Sequence, residues 1–206
     1  MKYIFDFDDV LFNNTAQFKE HMFKILAEAG VSEEKARAYY KEVRTKKFSL
    51  KKFIKELFSR YPEIKKTVAE TYEAIMQECP KFLNTTLVEG VKRLKKDNCY
   101  IVSNGDEEFQ GDKIKYSGMG NLFHDHHIFL VPGEKRTTIA KVCEQEENKG
   151  IEFVFIDDKQ EFIDEINPQD FPNVTTILYD REGKKGLARL MAETNASPTS
   201  ELKRRK

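Results

Sequence analysis

The chain begins MKYIFDFDDVLFNN (residues 1–14), where the large side chains of Tyr3, Ile4, Phe5 and Phe7 run directly into the acids Asp6, Asp8 and Asp9. A short aromatic and β-branched run of this kind predicts a buried strand over Tyr3 to Phe7. Carboxylates gathered at the end of a buried strand repel one another and lose hydration, so they require a cationic partner. Four further runs of the same type follow: CYIV (99–102), HIFLV (127–131), FVFI (153–156) and VTTIL (174–178). Leu87, Val88, Val91 and Leu94 have helical spacing before the second run. Ile139, Val142 and Cys143 predict another helix before the fourth, ending at Gly150. Apolar strands alternating with helices indicate an α/β fold. The expected form is a doubly wound, Rossmann-like parallel sheet of about five strands with helices on both faces.

Between the first two strands this rhythm breaks. A parallel crossover needs about a dozen residues and its helix, yet roughly 90 separate Phe7 from Cys99. Phe18, Met22, Ile25, Leu26 and Ala29 predict a helix from Thr15, read as its N-cap, to Gly30, read as the residue past its end. A second is expected after Ser32, a third through Phe53, Ile54, Leu57 and Phe58, and a fourth from near Pro62 to before Pro80. The expected organisation is a core of residues 1–13 and 83–190, with a helical domain at 14–82 inserted after the first strand. Residues 191–206, polar and without periodicity, are expected to be a disordered tail.

Composition narrows the function. The 35 basic and 35 acidic residues balance, so no global excess of charge exists to neutralise nucleic-acid phosphates. No apolar run reaches membrane-spanning length. Cys79, Cys99 and Cys143 are far apart and form no CxxC pair, the pattern of a reduced, cytoplasmic protein whose cysteines act as small hydrophobes. The sequence carries no signal for an oligomeric state.

In parallel α/β sheets ligands sit beyond the carboxyl ends of the strands. There the sequence puts Asp6, Asp8 and Asp9 after the first run, Ser103-Asn104-Gly105 after the second, and Asp157-Asp158 after the fourth. Lys135 follows the third, near the start of the helix containing Ile139. Hard oxygen ligands with room for water suit Mg²⁺. A divalent cation beside a free carboxylate, a hydroxyl and a lysine complements a phosphoryl group. Each residue type also has a plainer use: strand-end acids and serines cap helices, and lysines are common in loops.

DFDDVLF (6–12), VSN (102–104), Lys135 and FIDD (155–158), in this order, resemble the four motifs of the haloacid-dehalogenase (HAD) superfamily. The helical insert resembles that superfamily's C1-type cap. The resemblance implies that Asp6 is a nucleophile forming an aspartyl-phosphate and that Asp8 is the general acid/base. Ser103, Asn104 and Lys135 would hold the phosphoryl oxygens. Mg²⁺ would be held by Asp6, the main-chain carbonyl of Asp8, Asp157 and Asp158. It further implies a Mg²⁺-dependent phosphatase acting on a small soluble phosphate monoester. A phosphomutase of the β-phosphoglucomutase type uses the same residues, and a non-catalytic binding protein is the reading from another class. True dehalogenases lack an acid at the Asp8 position. Two departures stand out. Asp9 holds a position usually occupied by glycine, tolerable at positive φ. Arg136 rather than proline follows Lys135, with Lys141 the alternative third-motif lysine.

Two other clusters draw attention. His124, His126 and His127 suggest a metal site, but their spacing fits a loop entering the third strand. Arg44, Lys46, Lys47, Lys51 and Lys52 could recruit an anion or form a solvated surface. Tyr39, Tyr40 and His21, with Arg44 and Lys46, are the residues of the insert weighed for contact with substrate.

Overall fold

The computed structural model describes residues 1–44, 47–180 and 184–187. Five strands, β1 (Lys2–Phe5), β2 (Cys99–Asn104), β3 (Ile128–Val131), β4 (Phe153–Asp157) and β5 (Val174–Leu178), form one sheet. Their order is β3-β2-β1-β4-β5 and every pairing is parallel. Strand β1 is central, so its successive side chains enter two different cores. Tyr3 and Phe5 join Cys99, Ile101, Val154 and Ile156 on one face, where Leu87, Val88 and Val91 of α5 (Thr85–Arg93) and Phe109 and Ile114 of α6 (Glu107–Tyr116) cover them. Ile4 joins Tyr100, Val102, Phe153 and Phe155 on the other, beneath Ile139 and Val142 of α7 (Arg136–Glu144) and Phe162 of α8 (Gln160–Asp164). The expected doubly wound sheet is therefore present.

Several boundaries differ from the sequence reading. Strand β1 stops at Phe5, one residue before Asp6, whose amide still bonds to Ile156 of β4, while β2 continues through Ser103 and Asn104. His127 belongs to the turn before β3, its ring stacked on Tyr100 at 4.0 Å and its Nδ1 donating to the Cys99 carbonyl. Helix α7 ends at Glu144 rather than at Gly150, because the buried Asn148 amide donates to the Val142 carbonyl and closes the helix early.

Between β1 and β2 lie α1 (Lys19–Glu28), α2 (Glu33–Val43), α3 (Leu50–Ser59) and α4 (Val68–Met76). Thr15 does not cap α1. Its amide and hydroxyl both donate to the Asp9 carboxylate, and Asn14–Phe18 form a π-helical turn leading into the helix. Helix α4 begins at Val68, six residues past Pro62, because Thr67 and Glu70 form a reciprocal capping box there. The two ends of the helical insertion are joined. Phe12 and Leu83 make an antiparallel bridge, the Asn13 amide donates to Phe82 and the Asn84 amide to Leu11. Phe12, Phe18 and Phe82 pack around this junction with ring centroids 5.2 to 6.1 Å apart, and such pairs contribute about 0.5–1.5 kcal/mol each beyond their burial. No helix among the described residues is long and apolar enough to cross a membrane. The tail, 191–206, lies outside the described residues.

Candidate active site

The carboxyl ends of β1, β2 and β4 and the start of α7 converge on one buried ion cluster. Asp6 follows β1; its amide donates to the Ile156 carbonyl, and its Oδ1 accepts from the Phe7 amide at 2.7 Å. Lys135, 1% exposed, lies 2.8 Å from Asp6 and 2.6 Å from Asp157. Asp157, the last residue of β4, also accepts from the Lys159 amide at 2.9 Å. One carboxylate oxygen each of Asp6, Asp157 and Asp158 lies within 4.8 Å of the other two. Burial pushes the Asp6 carboxyl up to about 6, with Lys135 opposing and Asp157 and Asp8 adding to the rise. Burial, then Asp6 and Asp157, pushes Asp158 up to about 7. Burial also works against the Lys135 ammonium, but the two acids outweigh it and hold its pKa above the usual value. Three crowded carboxylates opposed by one lysine, two of them held near neutrality, are an oxygen donor set that fits a hard divalent cation.

Ser103 Oγ is fully buried at the end of β2 and has no hydrogen-bond partner among the described residues. A buried hydroxyl without a partner is costly, so this atom is suited to a ligand oxygen. Asn104 lines the adjoining cleft, but its side-chain amide donates to the Gly133 carbonyl and so braces the loop carrying Lys135. Lys141 is exposed on α7, away from this cluster; Lys135 is the lysine the fold brings to the acids. Arg136 opens α7 and pairs with Asp170 at 2.9 Å, so proline is not needed there to start the helix.

Asp8 is held from α6. Lys113 Nζ lies 2.5 and 2.7 Å from its two oxygens, and Gln110 Nε2 donates to one of them at 2.9 Å. Asp9 adopts φ 58° and turns its carboxylate to Thr15. It takes the left-handed turn position that glycine usually fills. Helix α6 is itself fixed to the insertion: Lys51 of α3 pairs with Glu108 at 2.7 Å, Tyr72 of α4 donates to Asp112, and Tyr116 donates to Glu73.

Beside Asp8 a cleft of about 270 Å³ opens between the sheet and the insertion. Asn104, Gln110 and Lys113 line one side and Phe18, Lys19, Met22, Tyr40 and Phe48 the other. Of the insertion residues weighed from sequence, Tyr40 lines it. Tyr39 stacks on Phe53 and donates to Glu56, and His21 packs against Phe82. Arg44 is the residue closing α2, Lys51 and Lys52 pair with acids, and Lys46 lies outside the described residues. His124 is occupied by Asp97 at 2.8 Å.

No protein-family model and no curated protein matches the sequence. Solved structures do match. A candidate haloacid dehalogenase-like hydrolase from Burkholderia xenovorans superposes with a TM-score of 0.66, at 16% identity, over 93% of this chain and 96% of that one. The chain has the haloacid-dehalogenase fold. The same fold is shared with a candidate HAD hydrolase from Bacillus subtilis bound to magnesium, with a TM-score of 0.50 and 15% identity over 85% of each chain. A candidate β-phosphoglucomutase from Thermotoga maritima matches with a TM-score of 0.51 and 14% identity, over 91% of this chain and 92% of that one.

On this haloacid-dehalogenase fold, Asp6, Ser103, Lys135, Asp157 and Asp158 stand at or just past the strand ends, as the motif order led us to expect. Gln110 and Lys113 did not emerge from the sequence. Their only signal is an i, i+3 spacing on the helix that follows Ser103-Asn104-Gly105.

Proposed function

We propose that the protein is a phosphatase that hydrolyses a small phosphate monoester through an aspartyl-phosphate on Asp6, with Mg²⁺ as cofactor. The observation that carries this reading is Lys135 bridging buried Asp6 and Asp157, with an Asp158 oxygen within 4.8 Å of theirs and Ser103 Oγ unpartnered near the end of the neighbouring strand β2. A bound Mg²⁺, held by Asp6, Asp157, Asp158 and the Asp8 main-chain carbonyl, would neutralise phosphoryl oxygens. The magnesium-bound B. subtilis structure supports that choice of ion.

In the first half-reaction an Asp6 oxygen forms a bond to phosphorus as the ester P–O bond breaks, and Asp8 gives its proton to the departing oxygen. In the second, Asp8 takes a proton from water as the water oxygen attacks phosphorus, which frees Asp6 and inorganic phosphate. The Phe7 amide and Lys135 fix the Asp6 carboxylate for attack. Lys135 and the Ser103 hydroxyl face the phosphoryl oxygens, where charge is spread in the transition state. Asn104 acts here through Gly133, holding the Lys135 loop in place.

The test is hydrolysis of an aryl phosphate with and without Mg²⁺, beside Asp6→Asn. Loss of turnover in both EDTA and the variant is the expected result; turnover that survives either one refutes the mechanism. A phosphomutase would use the same groups, and the T. maritima match keeps that reading in view. It is separated by whether a second sugar hydroxyl, rather than water, accepts the phosphoryl group.

A further inference from the structure

Lys113 is an unusual lysine. It is 1% exposed, yet it sits on a helix whose other lysine, Lys115, reaches solvent. Its ammonium is surrounded by rings, 4.8 Å from the Phe109 centroid, 5.6 Å from Phe12 and 5.9 Å from Phe7. In such surroundings a lysine charge needs a close anion, and Asp8 supplies it with both oxygens. Gln110, one helical turn earlier and 4% exposed, donates from the same amide nitrogen to Asp8 and to the Asn104 carbonyl, each at 2.9 Å. Gly105 makes room for that amide: a Cβ there would lie 2.8 Å from Gln110 Nε2. Three donor contacts from one helix therefore fix a carboxylate more than 100 residues earlier in the chain.

We infer that Lys113 and Gln110 are positioning residues for the reaction, a clamp on α6 that aims the Asp8 carboxylate at the oxygen leaving phosphorus. This rests on the proposed role of Asp8. Phe7 and Phe12, from the Asp8 segment itself, stack on each other beside the Lys113 ammonium and so help to seat the clamp. Asp8 alternates between the carboxylate that Lys113 pairs with and the acid it becomes on taking a proton from water, and in either form free rotation would lose the alignment that proton transfer in the transition state requires. The role predicts a loss in the first half-reaction confined to esters whose leaving group needs a proton, and kcat/KM reads it without the aspartyl-phosphate hydrolysis that both esters share.

The experiment compares phenyl phosphate, a poor leaving group, with 2,4-dinitrophenyl phosphate, a good one, in the full-length protein with Mg²⁺. Asp8→Asn, Lys113→Met and Gln110→Met are measured in parallel, each with a thermal melt. For Lys113→Met, kcat/KM on phenyl phosphate should fall on the order of 100-fold, the lower range for a general acid, with KM on that ester moving less than about threefold. On the dinitrophenyl ester kcat/KM should fall less than about tenfold. Gln110→Met, which leaves the ion pair in place, should show the same contrast at about a tenth of the size and serves if Lys113→Met does not fold.

Equal losses of kcat/KM on both esters, or a loss on phenyl phosphate that lies in KM alone, would overturn the clamp and make Lys113 a structural or substrate-binding lysine. If Asp8→Asn itself fails to discriminate between the esters, the assigned role of Asp8 falls, and the clamp with it. Discrimination by Asp8→Asn but not by the other two overturns the clamp alone.

Discussion

Replacing Lys135 by methionine removes the only side-chain cation in contact with Asp6 and Asp157 among the described residues, and leaves the length and much of the volume of the side chain in place. The three groups are at most 5% exposed, so little solvent can take over the role of the ammonium. Leaving a buried charge without its partner costs about 3–5 kcal/mol. For 206 residues, an unfolding entropy of about 2.1 cal/mol/K per residue makes this a fall in Tm of about 7–12 °C.

The penalty should also depend on pH. Without the lysine that opposes it, the Asp6 carboxyl is raised further above its unfolded value, so the folded state binds more protons and loses stability as pH rises through that range. The deficit is therefore larger at pH 8 than at pH 5. Adding Asp6→Asn to the variant removes one of the two opposed charges and should recover part of the loss. Thermal melts by circular dichroism in EDTA, at both pH values and for all three variants, measure each quantity. A Tm within about 2 °C of the parent at pH 8 would refute the buried ion-pair reasoning. So would a deficit that does not change with pH.

Asp9→Gly should cost less than about 1 kcal/mol, because glycine accepts φ 58° and only the bonds to Thr15 disappear. Asp9→Val should cost about 2 kcal/mol or more in urea unfolding, and equal stability of the two would remove the case for a strained turn. Asn148→Ala strands the Val142 carbonyl, now 2.6 Å from Asn148, and takes from the Lys2 ammonium its 2.5 Å acceptor, leaving it the Tyr100 hydroxyl; it should cost about 1–3 kcal/mol on the same assay. Burial holds the His127 imidazole below its usual pKa. The unfolded chain takes up that proton first, so stability contributed by neutral His127 is lost as pH falls below about 6.5. His127→Gln should flatten the acid side of a Tm-against-pH curve; an unchanged slope would show that His127 is not the group responsible.

The sheet was legible because strands buried on both faces write themselves as unbroken apolar runs, and FVFI makes up all of β4 but its last residue, Asp157. The acids were legible as a set: any one strand-end carboxylate could cap a helix, but acids after two runs, a serine after another and a lysine after one more complement one ligand. What escaped depended on partners distant in sequence. Lys113, within DEEFQGDKIKY, reads as one more charged residue on a solvated helix, and nothing local shows that Phe7, Phe12 and Asp8 enclose it. Thr15 looked like a helix cap, yet Asp9 takes both its donors. Pro62 drew the start of α4 too early, although the T-x-x-E of Thr67 to Glu70 carried the deciding signal.

The bridge between Phe12 and Leu83 has a consequence for how this molecule can vary. The main-chain bonds from Asn13 to Phe82 and from Asn84 to Leu11 bring the two ends of the insertion together like the stem of a hairpin. Closing a longer loop above such a stem adds only about 0.6 kcal/mol for each doubling of its length. The segment above the stem is thus a replaceable roof over a fixed floor. Lengthening, shortening or exchanging it alters which molecules fit beneath, while Asp6 and Ser103 keep their places at the strand ends.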